Sequence, residues 1–133
     1  MRTILPGIAA FLFSLNCHAE LITEPGSFSV SGSDVRVEVS AVGTKQLSVV
    51  ACYPDRSEGG FSAIEVVERA WIVYFESPNR LWIYDGDDEI HLSERTDQPR
   101  GFKGTSSSKV PTLWERLPEE LKQRLVPVVT AGR

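Results

Sequence analysis

The sequence predicts a mainly β fold with a C-terminal helix (α+β), in which antiparallel meanders form a small sandwich or a partly open barrel. Residues 35–40 alternate apolar and polar side chains with period two, which is typical of a half-buried strand. Residues 70–75 and 81–84 are dense in aromatic and β-branched side chains, which favour strands. Near the C-terminus, four apolar residues follow helical spacing: Trp114, Leu117, Leu121 and Leu125.

The first nineteen residues are typical of an export signal. Arg2 precedes an apolar stretch over residues 4–15, and Ala19 is the small residue that a signal peptidase needs. This stretch is short for a helix that spans a membrane. We therefore expect a secretory signal peptide over residues 1–19 and a single small β-rich domain over residues 20–133. The mature chain would be periplasmic or extracellular, with no transmembrane segment.

Charge and cysteine content limit the possible partners and the redox chemistry. With a net charge of −4 over 133 residues, the chain has no general attraction for nucleic acid. Of its two cysteines, Cys17 lies in the predicted signal, and the poor lipobox before it predicts no lipid anchor. Cys52 would then be alone, so we expect no internal disulfide. We interpret Cys52 as a buried, small apolar side chain rather than a nucleophile.

The first half of the chain predicts a three-stranded antiparallel meander. Its strands are expected over residues 28–30, 35–40 and 46–53, separated by turns that contain glycine. The following polar segment over residues 54–60 contains one proline and two glycines. We expect this segment to be a loop that ends the meander.

The two aromatic runs over residues 70–75 and 81–84 predict a strand pair, joined by a turn that contains Pro78. Both faces of this pair are largely apolar. We therefore expect it in the middle of a sheet that is covered on both sides, with the helix or the first meander over one face. Four aromatic side chains would pack in the core, or form a carbohydrate or peptide platform if one sheet face is open: Trp71, Phe75, Trp82 and Tyr84.

The registers of these strands follow from the expected lengths of the turns. A four-residue turn after Glu76 places Phe75 beside Trp82. A third strand is expected over residues 89–94, and a four-residue loop before it sets Ile83 against Ile90, because this register keeps apolar side chains on one face.

The C-terminal helical segment is expected over about residues 112–126. Thr112 and Glu115 have the spacing of a capping box, and Pro118 followed by two glutamates indicates a second helix start. We expect a short turn followed by a helix that ends near Pro127.

An acidic segment beside Gly86 is the first candidate site. Four carboxylates occur within five residues, which is the composition of a loop that binds a hard cation such as Ca²⁺: Asp85, Asp87, Asp88 and Glu89. Their spacing matches no EF-hand, and the alternative is a solvated hairpin turn. No other cofactor is expected. His91, the only histidine after the predicted cleavage, is either a structural residue or a proton shuttle.

A basic segment over residues 95–110 is the second candidate site. It is rich in glycine and serine and lacks hydrophobic periodicity, so we expect a long loop. Its candidate partner-binding residues are Arg100, Phe102, Lys103 and Lys109, with Arg95 nearby. The expected partner is a protein or glycan of the cell envelope. The alternative is a soluble loop without a binding role.

Two classes of function remain. No nucleophile with a base beside it, phosphate-binding loop or zinc-protease helix occurs in the sequence. We therefore expect a non-enzymatic binding or inhibitor module that acts through a surface loop or a sheet face. The alternative is a small metal-dependent or acid/base hydrolase centred on residues 85–91, which requires the acids to converge with His91 in a concave pocket.

Overall fold

The computed structural model describes residues 19–54, 58–76, 80–95 and 102–131. These residues form two antiparallel sheets followed by a 3₁₀ helix (Val110–Arg116) and an α-helix, α1 (Glu119–Ala131). In chain order the strands are β1 (Ala19–Ile22), β2 (Gly26–Ser29), β3 (Arg36–Val42), β4 (Gln46–Cys52), β5 (Glu58–Glu65), β6 (Ile72–Glu76), β7 (Arg80–Tyr84), β8 (Glu89–Arg95) and β9 (Phe102–Lys109).

The two sheets pack as a sandwich and do not close into a barrel, which confirms the predicted fold class and decides between its two forms. The larger sheet has the order β1-β6-β7-β8-β9, and the smaller sheet has the order β2-β3-β4-β5. Every neighbouring pair of strands is antiparallel. Within the described residues, no helix is long and apolar enough to cross a membrane.

The five-stranded sheet is the central layer of three. One of its faces packs against the four-stranded sheet in a core that contains Val37, Val49 and Phe75. Its other face packs against the 3₁₀ helix and α1 in a second core that contains Trp82, Leu121 and Leu125. Burial on both faces confirms the prediction drawn from the apolar β6 and β7 sequences, and the predicted helical stripe does face the sheet.

The predicted register of β6 and β7 is wrong by one residue. Phe75 lies opposite Leu81, and Tyr74 lies opposite Trp82. Directly opposed residues in an antiparallel pair share a face. The face of β6 and β7 that carries Val73, Phe75, Leu81 and Ile83 therefore meets the other sheet, and the face that carries Tyr74, Trp82 and Tyr84 meets the helices. The predicted register would have placed Phe75 and Trp82 in one core.

The predicted register of β7 and β8 is also wrong by one residue. Ile83 lies opposite His91 rather than Ile90, and Tyr84 lies opposite Ile90. The backbone N–H of Asp85 donates to the carbonyl oxygen of Glu89 (3.0 Å), so the pairing extends one step further into the loop than expected. In this register Ile90 faces the helices.

The predicted loop over residues 54–60 does not end the first meander. β5 begins at Glu58 and continues the four-stranded sheet beside β4. The sequence predicts loop positions for Gly59 and Gly60, but both lie inside the strand. A Cβ atom on Gly60 would overlap the backbone oxygen of Val49, so glycine permits a close approach of two strands here.

The predicted loop over residues 95–110 is also wrong where the structure describes it, because residues 102–109 form β9. Its hydrophobic pattern is weak because β9 is the outermost strand of its sheet, and Ser106 and Ser107 are exposed. The helical segment differs from the expected bounds as well. Thr112 lies inside the 3₁₀ helix rather than capping a helix, and α1 continues past Pro127 to Ala131.

Candidate functional site

The aromatic side chains are core residues, and they form no open platform. Trp71 and Phe75 lie between the two sheets, whereas Trp82 and Tyr84 lie under the helices. None of the four is more than 6% exposed. Trp82 also donates its indole N–H to Glu76 Oε1 (3.0 Å), which satisfies its polar atom at the edge of the core.

β9 presents a backbone edge that no strand of the described residues covers. The backbone N–H of Val110 donates to the carbonyl oxygen of Asp88 (2.9 Å). In an antiparallel pair of strands, every second residue directs its backbone N–H and C=O groups toward the neighbouring strand. Because Val110 bonds to Asp88, immediately before β8, Ser108 and Ser106 also direct their backbone groups toward β8. The backbone groups that point away from β8 belong to Thr105, Ser107 and Lys109. We call these outward-facing groups the β9 edge.

The β9 edge has the longest regular run among the strand edges of the described residues, although its own register shifts before Thr105. β1 and β2 have four residues each, and β5 and β9 have eight each. β5 is interrupted by an irregular register opposite Ser48, where Ala63 takes a left-handed backbone angle (φ 60°). Such irregularities protect an edge from pairing with another strand, and β9 has none between Thr105 and Lys109.

The predicted basic residues are distributed along and before this strand. Arg100 lies outside the described residues. Phe102 and Lys103 begin β9, although their side chains are also outside the described part of the chain. Lys109 ends β9, and its Nζ is 2.6 Å from Asp88 Oδ2. The hydrogen bond to Asp88 raises the pKa of the Lys109 ammonium.

The acidic residues of the β7–β8 hairpin have separate structural roles. Asp85 Oδ1 accepts the backbone N–H groups of Asp87 (2.8 Å) and Glu89 (3.2 Å), which shapes the loop. Asp88 pairs with Lys109, and Asp87 is exposed. The four acids predicted as a Ca²⁺ loop therefore do not all point to one centre.

Two of these acids instead come together with His91. Asp85, Glu89 and His91 each offer one ligand atom within 4.8 Å of the others, and all three residues are half-buried. Asp85 lies opposite Glu89 at the end of the β7–β8 hairpin, so the two side chains share one face of the sheet. His91 lies two residues after Glu89 in β8 and is therefore on the same face. The ring of His91 also packs edge-on against Phe61, at 5.7 Å between centroids. The hydrolase alternative requires acids of this segment to converge with His91, and the i, i+2 spacing of Glu89 and His91 in a strand is the signal in the sequence for two members of the group.

The chemistry of this group favours a transition metal over Ca²⁺. Ca²⁺ takes oxygen ligands only, whereas one imidazole with two carboxylates is a donor set suited to Zn²⁺. Two contacts oppose metal binding. Asp85 Oδ1 already accepts two backbone hydrogen bonds, and Lys109 Nζ lies 3.9 Å from Glu89 Oε2.

Cys52 is a free thiol with a raised pKa. It is half-buried in β4, and burial is the main cause that raises the pKa of its thiol, with smaller contributions from Glu38 and Glu58. A raised pKa reduces the thiolate fraction, which is the nucleophilic form. Cys52 was expected to be buried, whereas the structure leaves it half-buried. Cys17 lies outside the described residues, whereas the predicted cleavage site after Ala19 lies within β1, where Ala19 pairs with Glu76.

One end of the sandwich opens into a cleft of about 240 Å³ that the sequence analysis did not identify. Its inner wall contains Leu47, Val66 and Trp71, and its rim contains Glu68 and Arg69. The cleft is formed by the loops that precede β2, β4 and β6. These loops are distant in sequence and carry no shared motif, so only the fold brings them together.

Comparisons with the known protein families, with characterised proteins and with solved structures find no match to this chain.

Proposed function

We propose that this chain is an exported, non-enzymatic binding module whose β9 edge pairs with an extended, acidic segment of an envelope protein. The observation that supports this proposal is the regular run of outward-facing backbone groups at Thr105, Ser107 and Lys109. An extended segment can add to such an edge as a further strand, with backbone hydrogen bonds supplying affinity. The serines of β9 are small and leave room for the side chains of the partner.

The charge of β9 favours an acidic partner over a second copy of this chain. The strand carries Lys103 and Lys109, one near each end. Antiparallel pairing of two β9 strands centred on Ser106 would set Lys103 of one copy opposite Lys109 of the other. Like charges in directly opposed positions destabilise a strand pair, whereas a glutamate on the partner opposite Lys103 would be favourable. Lys109 is already paired with Asp88.

Export rests on the sequence of the first nineteen residues. If this segment is a signal peptide, the protein isolated from the envelope or the medium begins at Glu20, which N-terminal sequencing can determine. Isolation of an intact chain that begins at Met1 would contradict export by cleavage after Ala19.

The test of the binding function is affinity capture from envelope extract, with the purified protein and two variants of one position as bait. Ser107→Pro removes an outward N–H of the β9 edge without removing a hydrogen bond to β8, whereas Ser107→Ala keeps that N–H. We expect one partner to be retained by the wild type and by Ser107→Ala, and to be lost with Ser107→Pro. Circular dichroism checks that both variants keep the fold.

A partner retained equally by Ser107→Pro would contradict recognition through the β9 edge.

The role of charge in recognition is tested by Lys103→Glu, which replaces a positive side chain of β9 with a negative one. We expect this change to weaken capture, and to weaken it more at low than at high salt.

The convergence of Asp85, Glu89 and His91 favours one second candidate, a metal-dependent hydrolase. It predicts that Zn²⁺ shifts the NMR signals of the His91 ring at a one-to-one ratio, and that Glu89→Gln abolishes this shift. Unchanged His91 signals in the presence of excess Zn²⁺ would exclude the metal-dependent form of this candidate.

A further inference from the structure

A groove of about 430 Å³ lies where the end of the five-stranded sheet meets α1. It is lined by Thr23 after β1, by residues 69–72 at the start of β6, by Tyr84 at the end of β7, and by Arg124 of α1. The groove adjoins the smaller cleft described above, and the two share Thr23, Arg69 and Trp71. None of the residues that line the groove is acidic.

Two arginines line this groove without neutralising partners. Arg69 and Arg124 are exposed, and neither side chain forms an ion pair or hydrogen bond within the part of the chain that the structure describes. Two other arginines among the described residues are paired. Arg36 lies 2.9 Å from Glu38, and Arg80 lies 2.8 Å from Glu94. Two guanidinium groups at one groove in an acidic protein thus give it a local positive charge.

The backbone at Arg69 has a left-handed conformation that is unfavourable for arginine. Residues 67–70 form a turn in which the N–H of Ala70 donates to the carbonyl oxygen of Val67 (3.0 Å). Arg69 is the third residue of the turn and has a φ of +67°, where glycine is the usual residue. A side chain in this region costs about 1–2 kcal/mol. The fold therefore carries an arginine at a position where glycine would be more stable.

From these observations we propose that the groove is a binding site for a phosphate group. The N–H groups of Arg69 and Arg124 donate to phosphate oxygens, and the two positive charges match a dianion. The hydroxyl group of Thr23 supplies a further donor at the same groove. Glu24 and Glu68 line the neighbouring cleft, so their negative charges make that cleft less favourable for an anion than the groove.

This site is independent of the proposed β9 recognition. Its residues belong to the ends of β1 and β7, to the turn before β6 and to α1, whereas the β9 edge is formed by residues 105–109. Loss of one function by substitution should therefore leave the other unchanged.

The test is an NMR titration of the full chain with inorganic phosphate, and with glycerol 3-phosphate in a second arm. We expect saturable shifts of the backbone amides near Arg69 and Arg124 that weaken as salt is added. Arg69→Gly and Arg124→Gln should each raise the dissociation constant about tenfold, which corresponds to about 1.4 kcal/mol. Arg116→Gln is the matched control, because Arg116 is an exposed arginine outside the groove, and it should leave the affinity unchanged.

The Arg69→Gly variant separates binding from folding. Glycine relieves the left-handed strain, so this variant should melt at the same temperature as the wild type or higher while it loses phosphate binding. Tighter binding of glycerol 3-phosphate would indicate a phosphate ester as the ligand, and tighter binding of inorganic phosphate would indicate the free ion. The proposal is overturned if neither ligand binds, or if wild type, Arg69→Gly and Arg116→Gln bind with the same affinity.

Discussion

Tyr84 connects the core beneath the helices with the acidic β7–β8 loop. Its side chain is 2% exposed, and its hydroxyl group donates to the backbone oxygen of Asp87 (3.0 Å). Burial is the main cause that raises the pKa of Tyr84 to about 12, and the nearby Asp85, Asp87 and Asp88 add to this. The phenol is thus held in its neutral form well above its ordinary range.

This raised pKa predicts alkaline destabilisation. Between pH 10 and pH 12 the unfolded chain loses the Tyr84 proton while the folded protein keeps it. The contribution of Tyr84 to the free energy of unfolding should therefore be constant below pH 10. Above pH 10 this contribution should fall by at most about 1.4 kcal/mol per pH unit. Urea titrations at pH 9, 10 and 11 measure the slope, which Tyr84→Phe should reduce. An equal slope in the variant would assign the effect to other groups.

Gly60 gives a second prediction at the scale of one residue. Its φ of +149° and the nearby oxygen of Val49 leave no place for a Cβ atom, whereas a Cβ on Gly43 would meet nothing within 4 Å. We expect Gly60→Ala to lower the free energy of unfolding by roughly 2–4 kcal/mol. The control Gly43→Ala, which adds only left-handed strain, should cost about 1 kcal/mol. Equal losses in urea denaturation would contradict the close approach of β4 and β5.

At the scale of elements, α1 is attached to the sheet by its apolar stripe. Leu121 and Leu125 are fully buried in the core that contains Trp82. Leu121→Ala should therefore lower the free energy of unfolding by about 2–5 kcal/mol, because the sheet below cannot close the cavity. Gln123→Ala, at an exposed position of the same helix, should change it by less than about 0.5 kcal/mol. Similar values for the two variants would show that α1 does not cover the sheet.

The sequence was sufficient to predict elements whose hydrophobic pattern is strong. The aromatic runs of β6 and β7 and the stripe of Leu117, Leu121 and Leu125 were assigned to the correct structures. The sequence was insufficient to predict the register of the strands. One residue more or less in a turn changes every pair of opposed residues, and the sequence indicates the length of a turn only weakly. The sequence also did not predict β5 and β9, which are rich in glycine and serine. Gly60 lies in β5 because two strands approach closely there, and the serines of β9 lie in an edge strand.

At the scale of the whole molecule, the three layers explain where function can lie. Both faces of the five-stranded sheet are covered, so its aromatic residues are buried in the two cores. Among the described residues, the accessible features include the edge strand β9 and the end of the sandwich where Arg69 and Arg124 line a groove. The basic segment around Phe102 and Lys103 could be noticed in the sequence as a charge pattern. The groove could not, because its residues come from four separate segments that only the packing of the layers brings together.

The most direct test of the proposed binding function is amide hydrogen exchange along β9, measured by NMR on the free protein. An open edge predicts that the amides of Thr105, Ser107 and Lys109 exchange rapidly. The amides of Ser106 and Ser108, which donate toward β8, should exchange at least about tenfold more slowly. Slow exchange at Ser107 as well as at Ser108 would show that the β9 edge is already covered, and would contradict a recognition role for it.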